Sequence, residues 1–390
     1  MAEHFLVFSQ ILRPRPLGLS PRYHQDPQEA RTPRRRGRVR GAVPPRRGGP
    51  RRRARGRGRS CAGTPRRRRT RRTGEFTVRS VLHVIGRKLV WIATFFLPRS
   101  SRIATERRLR GREEARKLKQ ADGVIASYGK SGRTWLRVMV SRFYQVRYKL
   151  PDSLLMGFDN FHRKNPATPK LLFTHDNYLR DFTGHRDSKV DYKGLPVVFL
   201  ARHPADTAVS QFFQWRFRMK PHKRVINDYP EDLEMPIFDF VMGKEAGIPK
   251  VIEYLNGWAE AKPLLGEQLH IVRYEDLRQS TAEALGGVLT HLGADPSPEE
   301  LAEAVEFASF ENMRKMEASK SFRGAGSRMV AKDKNNPDSF KVRRGKVGGF
   351  RDYFDDGQVK EIESYIDIHL NPLFGYTRTA EKEDSAAHEA

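Results

Sequence analysis

The segment VIASYGKSGRTWLRVMVSRFYQ, Val124 to Gln145, decides the fold. With Gly123 before it, its start makes GVIAS (Gly123 to Ser127), an apolar run short enough for a buried strand. Small residues follow, and then apolar positions at helical spacing, from Trp135 and Leu136 to Phe143 and Tyr144. Strand, loop and helix in this order make a cradle for phosphate. Backbone amides of residues 130–134 point into the loop, the helix starting near Thr134 presents its positive end, and Lys130 adds a cation. Gly129-Lys130-Ser131 is also the tail of the triphosphatase loop, but that loop needs Gly where Val124 stands. A metal-binding Asp should close a later strand, yet VVFLA runs into Arg202. A metal-dependent kinase thus lacks both halves of its site, and the residues suit a phosphate handled without metal.

The same punctuation continues along the chain. LLFTH (Leu171 to His175), LPVVFLAR (Leu195 to Arg202) and QLHIVRY (Gln268 to Tyr274) read as strands, and helical patterns follow at Ala205 to Phe217 and Thr281 to Leu292. Continuous apolar strands alternating with helices predict an α/β fold, a central parallel sheet flanked by helices, nucleotide-kinase-like in plan.

Around this core the composition changes sharply. Of 390 residues 38% are hydrophobic, and the formal charge is +28. Residues 1–73 hold 23 Arg against 3 acidic residues, so most of that charge is local to them. Rich in Arg, Pro and Gly, without Lys or apolar period, residues 1–75 read as a disordered tail. Chance translation ahead of a true start explains such a composition; a solvated arm touching nucleic acid or lipid, or a transit peptide, are the competing readings. A non-enzymatic nucleic-acid or membrane adaptor would have to use this tail, which is separable from the cradle; no specific nucleic acid is expected. Residues 80–102 read as an amphipathic helix, either lying on a membrane surface or packed on the domain. Its apolar run is too short to span a bilayer. The single Cys61 permits no intrachain disulfide and suits a cytoplasmic location, with peripheral attachment through 80–102 as the variant. Residues 379–390 read as a second disordered tail, and the histidines show no metal spacing.

Five segments in order then carry a resemblance. YGKSGRTWL, LARHPADTAVSQFF, VRYEDL, ASFENM and FKVRRGKVGGFRDYF, together within about residues 121–377, resemble sulfotransferases that use 3′-phosphoadenosine 5′-phosphosulfate (PAPS). The resemblance implies a domain over 120–378 with a PAPS site and no metal. It places Lys130, Ser131, Gly132, Arg133 and Thr134 around the 5′-phosphate and Trp135 against adenine. Arg202 and Ser210 would grip the 3′-phosphate, with Arg343, Arg344 and Gly345 closing over it. Tyr274, Ser309 and Phe310 belong to the remaining matched segments, Phe310 packing on the purine. His175, ending its strand, corresponds to the catalytic base, with Lys130 stabilising the leaving group. Phe173 stands where the family has Lys, which makes Asp176 the alternative base. Arg133 replaces the common Thr, so its side chain is read as facing solvent, and His203 as structural. The acceptor is left open as a small molecule, lipid or glycan. Phe158, Phe161, Phe173, Tyr178 and Phe182 are expected to wall its pocket, and Arg163, Lys164 and Lys170 would favour an anionic glycan; an oligomer is compatible with all of this.

Overall fold

The computed structural model describes residues 86, 89–319, 321, 322, 329, 330, 332, 333 and 335–377. The expected tails at 1–75 and 379–390 lie outside them. Four strands form one parallel sheet: β1 (Gly123–Ser127), β2 (Leu171–Thr174), β3 (Val197–Ala201) and β4 (Leu269–Arg273), in spatial order β2-β1-β3-β4. Every strand lies within a residue or two of its expected place. β1 and β3 are buried throughout, as central strands covered on both faces must be.

Alternate residues of these strands serve two separate cores. Val124, Ala126, Val197, Phe199 and Ala201 join a cluster completed by Trp215 and Trp258. Ile125, Val198 and Leu200 join another with Leu136, Phe143 and Leu289. The period of two along each strand is therefore what divides the interior. Six helices frame the sheet and its crevice: α1 (Arg99–Leu118), α2 (Arg133–Tyr148), α3 (Pro204–Phe217), α4 (Ile248–Ala259), α5 (Thr281–His291) and α6 (Phe310–Ser319).

Two boundaries differ from expectation. The helix expected over 80–102 does not run through: among the described residues it stops at Ala93, residues 94–96 turn, and α1 starts only after Pro98. Pro lacks the amide that a continuing helix needs and suits a helix start. Nor does the domain begin at 120. α1 buries Ala115 and Leu118 in the first core, and at Gly111 it lies so close to the chain that an added Cβ would stand 2.2 Å from the carbonyl oxygen of Tyr178. Its highly charged sequence conceals this because burial is confined to a few small or aliphatic positions. No helix among the described residues is long and apolar enough to cross a membrane.

Candidate active site

The four strands deliver the site directly. The loop 128–132 follows β1, His175 follows β2, Arg202 follows β3 and Tyr274 follows β4. Since β2 and β3 flank β1 on opposite sides, the crevice opens where the connections diverge, the usual binding position of such sheets. All these elements line one cavity of about 1740 Å³.

The loop after β1 has the strain and close approach of an anion cradle. Lys130 has φ 74° and Gly132 φ 92°. A Cβ on Gly132 would stand 2.6 Å from the ring of Tyr274. Gly132 precedes the first turn of α2, no side chain caps that turn, and Gly132, Arg133 and Thr134 line the cavity. Gly132→Ala is expected to displace Tyr274 and weaken nucleotide binding by about tenfold or more, the scale of 1–3 kcal/mol of backbone strain, with the fold retained; calorimetry and circular dichroism read the two effects.

Cations crowd the cleft. Burial, reinforced by the charges of Lys341, Arg218 and Arg202 and opposed by Glu317, pushes the Lys130 ammonium down to about 7. Arg202 donates from Nη1 to the Lys130 carbonyl (3.1 Å) and from Nη2 to that of Lys346 (3.4 Å), and its guanidinium lies over Tyr274. Its Nε is buried with no hydrogen-bond partner among the described residues. Like charges converging on a cavity, with a buried donor unsatisfied, fit a multiply charged anion.

The C-terminal segment reaches this cleft through two buried carboxylates that sequence reasoning missed. Asp206, on the first turn of α3, accepts from the amides of Gly348 (2.8 Å) and Phe350 (2.9 Å). Glu317 of α6 accepts from the amides of Lys341 (2.8 Å) and Val342 (3.0 Å) and pairs with Arg218. Asp206 lies four residues after Arg202 in the same matched segment, a place where a buried acid could have been suspected; Glu317 carried no such signal. Arg343 lies over Phe213 and bonds Tyr353, while Arg344 pairs with Asp352.

Most of the expected residues meet here: Lys130, Gly132, Arg133, Thr134, Trp135, Arg202, Ser210, Tyr274, Phe310, Arg343, Arg344 and Gly345 all line the cavity. Trp135, held by its indole N–H to the Ala308 carbonyl (2.8 Å), sits edge-on to Tyr274, and Gly345 lies against Phe310. Trp135 and Tyr274, their planes inclined at 68°, and Phe310 give the cavity an aromatic slot beside the cations. Ser131 is buried beneath the loop rather than among the lining residues. Ser309 is also absent from the lining and instead starts α6, its hydroxyl accepting from the Asn312 amide (3.4 Å), as expected of a small hydroxyl residue at a helix N-terminus. His203 stacks on Phe350 in a structural role.

His175 Nδ1 lies 2.9 Å from the carbonyl oxygen of Ser127. A carbonyl only accepts, so in the neutral ring Nδ1 carries the proton and Nε2 is left as the basic nitrogen. Burial, assisted by Arg133, holds the imidazole well below its ordinary range. Arg133 therefore does not simply face solvent: it lines the cavity and its charge bears on both His175 and Glu114. Beneath His175 the chain turns at Asp176 (φ 51°). Tyr192 donates to Asp176 Oδ1 (2.8 Å) and Lys189 to Oδ2 (2.7 Å). Both carboxylate oxygens are thus engaged.

The expected aromatic wall is not there. None of Phe158, Phe161, Phe173, Tyr178 and Phe182 lines the cavity. Phe161 is buried in a core, Phe173 lies under Arg137, and Tyr178 carries Arg107 and Arg110. Arg163, Lys164 and Lys170 are likewise absent from the lining.

A parallel sheet whose strand ends converge on a cation-rich cleft is an arrangement in which such folds bind anionic ligands. Comparison with known proteins narrows it. Residues 186–377 match the family model described as "Sulfotransferase domain". Cytosolic sulfotransferase 12 of Arabidopsis thaliana is 26% identical over 275 residues, 64% of this chain and 77% of the relative. The 3-alpha-hydroxysteroid sulfotransferase of Cavia porcellus is 24% identical over 273 residues, 66% of this chain and 86% of the relative. Among solved structures, mouse sulfotransferase SULT7A1 complexed with PAP aligns at TM-score 0.46 and 19% identity, covering 70% of this chain and 94% of that one. Over about two thirds of its length the chain is similar to PAPS-dependent sulfotransferases, and residues 186–377 carry the match to their domain.

Proposed function

We propose that this chain moves a sulfuryl group from PAPS to a hydroxyl or amine of its acceptor by in-line transfer, with His175 as general base. The carrying observation is the Ser127 carbonyl on Nδ1, which leaves Nε2 as the basic nitrogen of a side chain that lines the cavity. PAPS supplies the activated sulfuryl group, and the adenosine 3′,5′-bisphosphate (PAP) part is the leaving nucleotide. The loop amides and Lys130 neutralise charge as it gathers on the 5′-phosphate side. Arg202, Ser210 and Arg343 take the 3′-phosphate, and the slot of Trp135, Tyr274 and Phe310 takes adenine. His175 Nε2 removes the acceptor's proton, and its lowered basicity keeps it unprotonated at neutral pH. Asp176 is the weaker candidate for that role because Tyr192 and Lys189 already occupy its oxygens.

Calorimetry tests the donor site. PAP is expected to bind more tightly than 5′-AMP by at least about 2 kcal/mol, roughly thirtyfold, for a charge-assisted phosphate clamp. Equal affinities would remove the 3′ clamp, and tight magnesium-dependent binding of ATP would favour a kinase.

A further inference from the structure

Besides the donor groups, the same cavity is lined by side chains from α1, from the segment after His175 and from α4, several of them charged or hydrogen-bonding. Asn177 follows the β2 turn, Arg180 lies on the next short helix, Asn227 ends the short helix Pro221–Ile226, and Lys250 and Glu253 stand on the first turns of α4. Tyr229 faces the same space, its hydroxyl accepting from Gln211 (2.8 Å). Apolar side chains alternate with these groups, among them Ile103, Tyr128, Met219, Ile226 and Tyr254. An apolar ring placed here would strip water from amides, ammonium and carboxylate without replacing their hydrogen bonds, a loss of about 1–3 kcal/mol for each group left unsatisfied. Pockets for single small molecules measure about 300–1,000 Å³. A cavity of about 1740 Å³ therefore holds a second molecule of appreciable size beside a nucleotide.

We propose that this lobe binds a hydroxyl-rich, sugar-like acceptor, in contrast to the steroid and flavonol acceptors for which two relatives are named. The proposal rests on the reading of the donor site as a PAPS site. Amide, carboxylate and ammonium groups at Asn177, Asn227, Glu253 and Lys250 supply the mixed donors and acceptors that vicinal hydroxyls require, and the face of Tyr229 suits the C–H side of a pyranose. One hydroxyl is presented to His175 Nε2: its proton passes to the imidazole, its oxygen bonds to sulfur, and the bond from sulfur to the bridging oxygen breaks with its electron pair left on PAP.

The test supplies the full chain and PAPS labelled in the sulfuryl group to arrayed neutral and acidic saccharides, alongside steroids, flavonols and long-chain alcohols at equal concentration. Transfer to saccharides at about ten times the best apolar rate or more is expected. Arg180→Leu and Lys250→Met are expected to raise the saccharide KM by about tenfold with PAP affinity unchanged. Apolar acceptors that match or exceed saccharides would overturn the proposal, as would silence across all saccharides in a protein that still binds PAP by calorimetry. Loss of PAP binding itself would indict the donor reading instead, and the acceptor proposal would fall with it.

Discussion

Replacing His175 by Ala is expected to lower acceptor-dependent turnover by about 10²-fold or more, since general-base catalysis is worth that much, while PAP affinity stays near that of the parent and stability falls only by about the 1 kcal/mol of the lost Nδ1–Ser127 hydrogen bond. The pH profile gives a second reading. Below the imidazole pKa the base is protonated and inactive, and that pKa is depressed by burial and by Arg133. The acid limb of kcat/KM in the parent should therefore lie well below pH 6.5, lower than an unperturbed His would place it. Arg133→Thr should move the limb upward, because it removes a cation that opposes protonation. An unchanged rate and limb in His175→Ala would transfer the role to another group.

Lys130→Met is expected to act in two opposite directions. PAP affinity should fall by about tenfold to a hundredfold, the scale of a hydrogen bond to a charged group, and turnover should fall further because that cation also meets the growing charge on the leaving oxygen. The ligand-free protein should melt at a higher temperature. The sign follows from the ammonium's descent from 10.5 in the unfolded chain to about 7 in the fold. Between those values the unfolded chain holds the extra proton, so parental stability rises with pH from about 7 toward 10.5 and is lowest when the buried ammonium is charged. Methionine removes both the penalty and that slope. A phosphate beside Lys130 restores its proton, so PAP binding to the parent at about pH 8 should take up a proton, visible as a dependence of the binding enthalpy on buffer ionisation, and affinity should decline as pH rises above about 7. The Met variant should show neither. A parental binding enthalpy independent of buffer, with affinity flat from about pH 7 to about pH 9, would place the phosphate away from this amine.

The sheet was legible because burial on both faces leaves a continuous apolar run, and GVIAS and VVFLA cannot hide among charged neighbours. The residues at strand ends were legible for the same reason: once a strand is located, the next residue must lie at the crevice. Side chains whose use depends on distant partners were not. Phe173 and Tyr178 look like pocket walls in one dimension, but their rings lie against the guanidinium groups of Arg137 and of Arg107 and Arg110. Asp206 and Glu317 look like surface acids, and only the returning chain shows that each accepts two backbone amides. The direction of Arg133 was likewise unreadable, since helical spacing gives an angle around α2 but not which wall of the cleft that angle meets. α1 was missed as part of the domain because its buried face is only a few residues wide.

The two halves of the cavity hang on different parts of the chain. Of the groups proposed to hold the donor, the loop 128–132, Arg202 and Tyr274 follow β1, β3 and β4 directly, and Ser210, Phe310 and Arg343 come from α3, α6 and the C-terminal segment. Beyond His175, the surroundings come from α1, α4 and connecting segments that contribute no strand. Substitutions there can accumulate, or be introduced in a library, without disturbing how PAPS is gripped. Acceptor choice is thus the evolvable and engineerable variable of this chain: exchanging residues 176–189 and the first turns of α4 for those of a relative should carry over that relative's acceptor preference while the nucleotide affinity stays with the host.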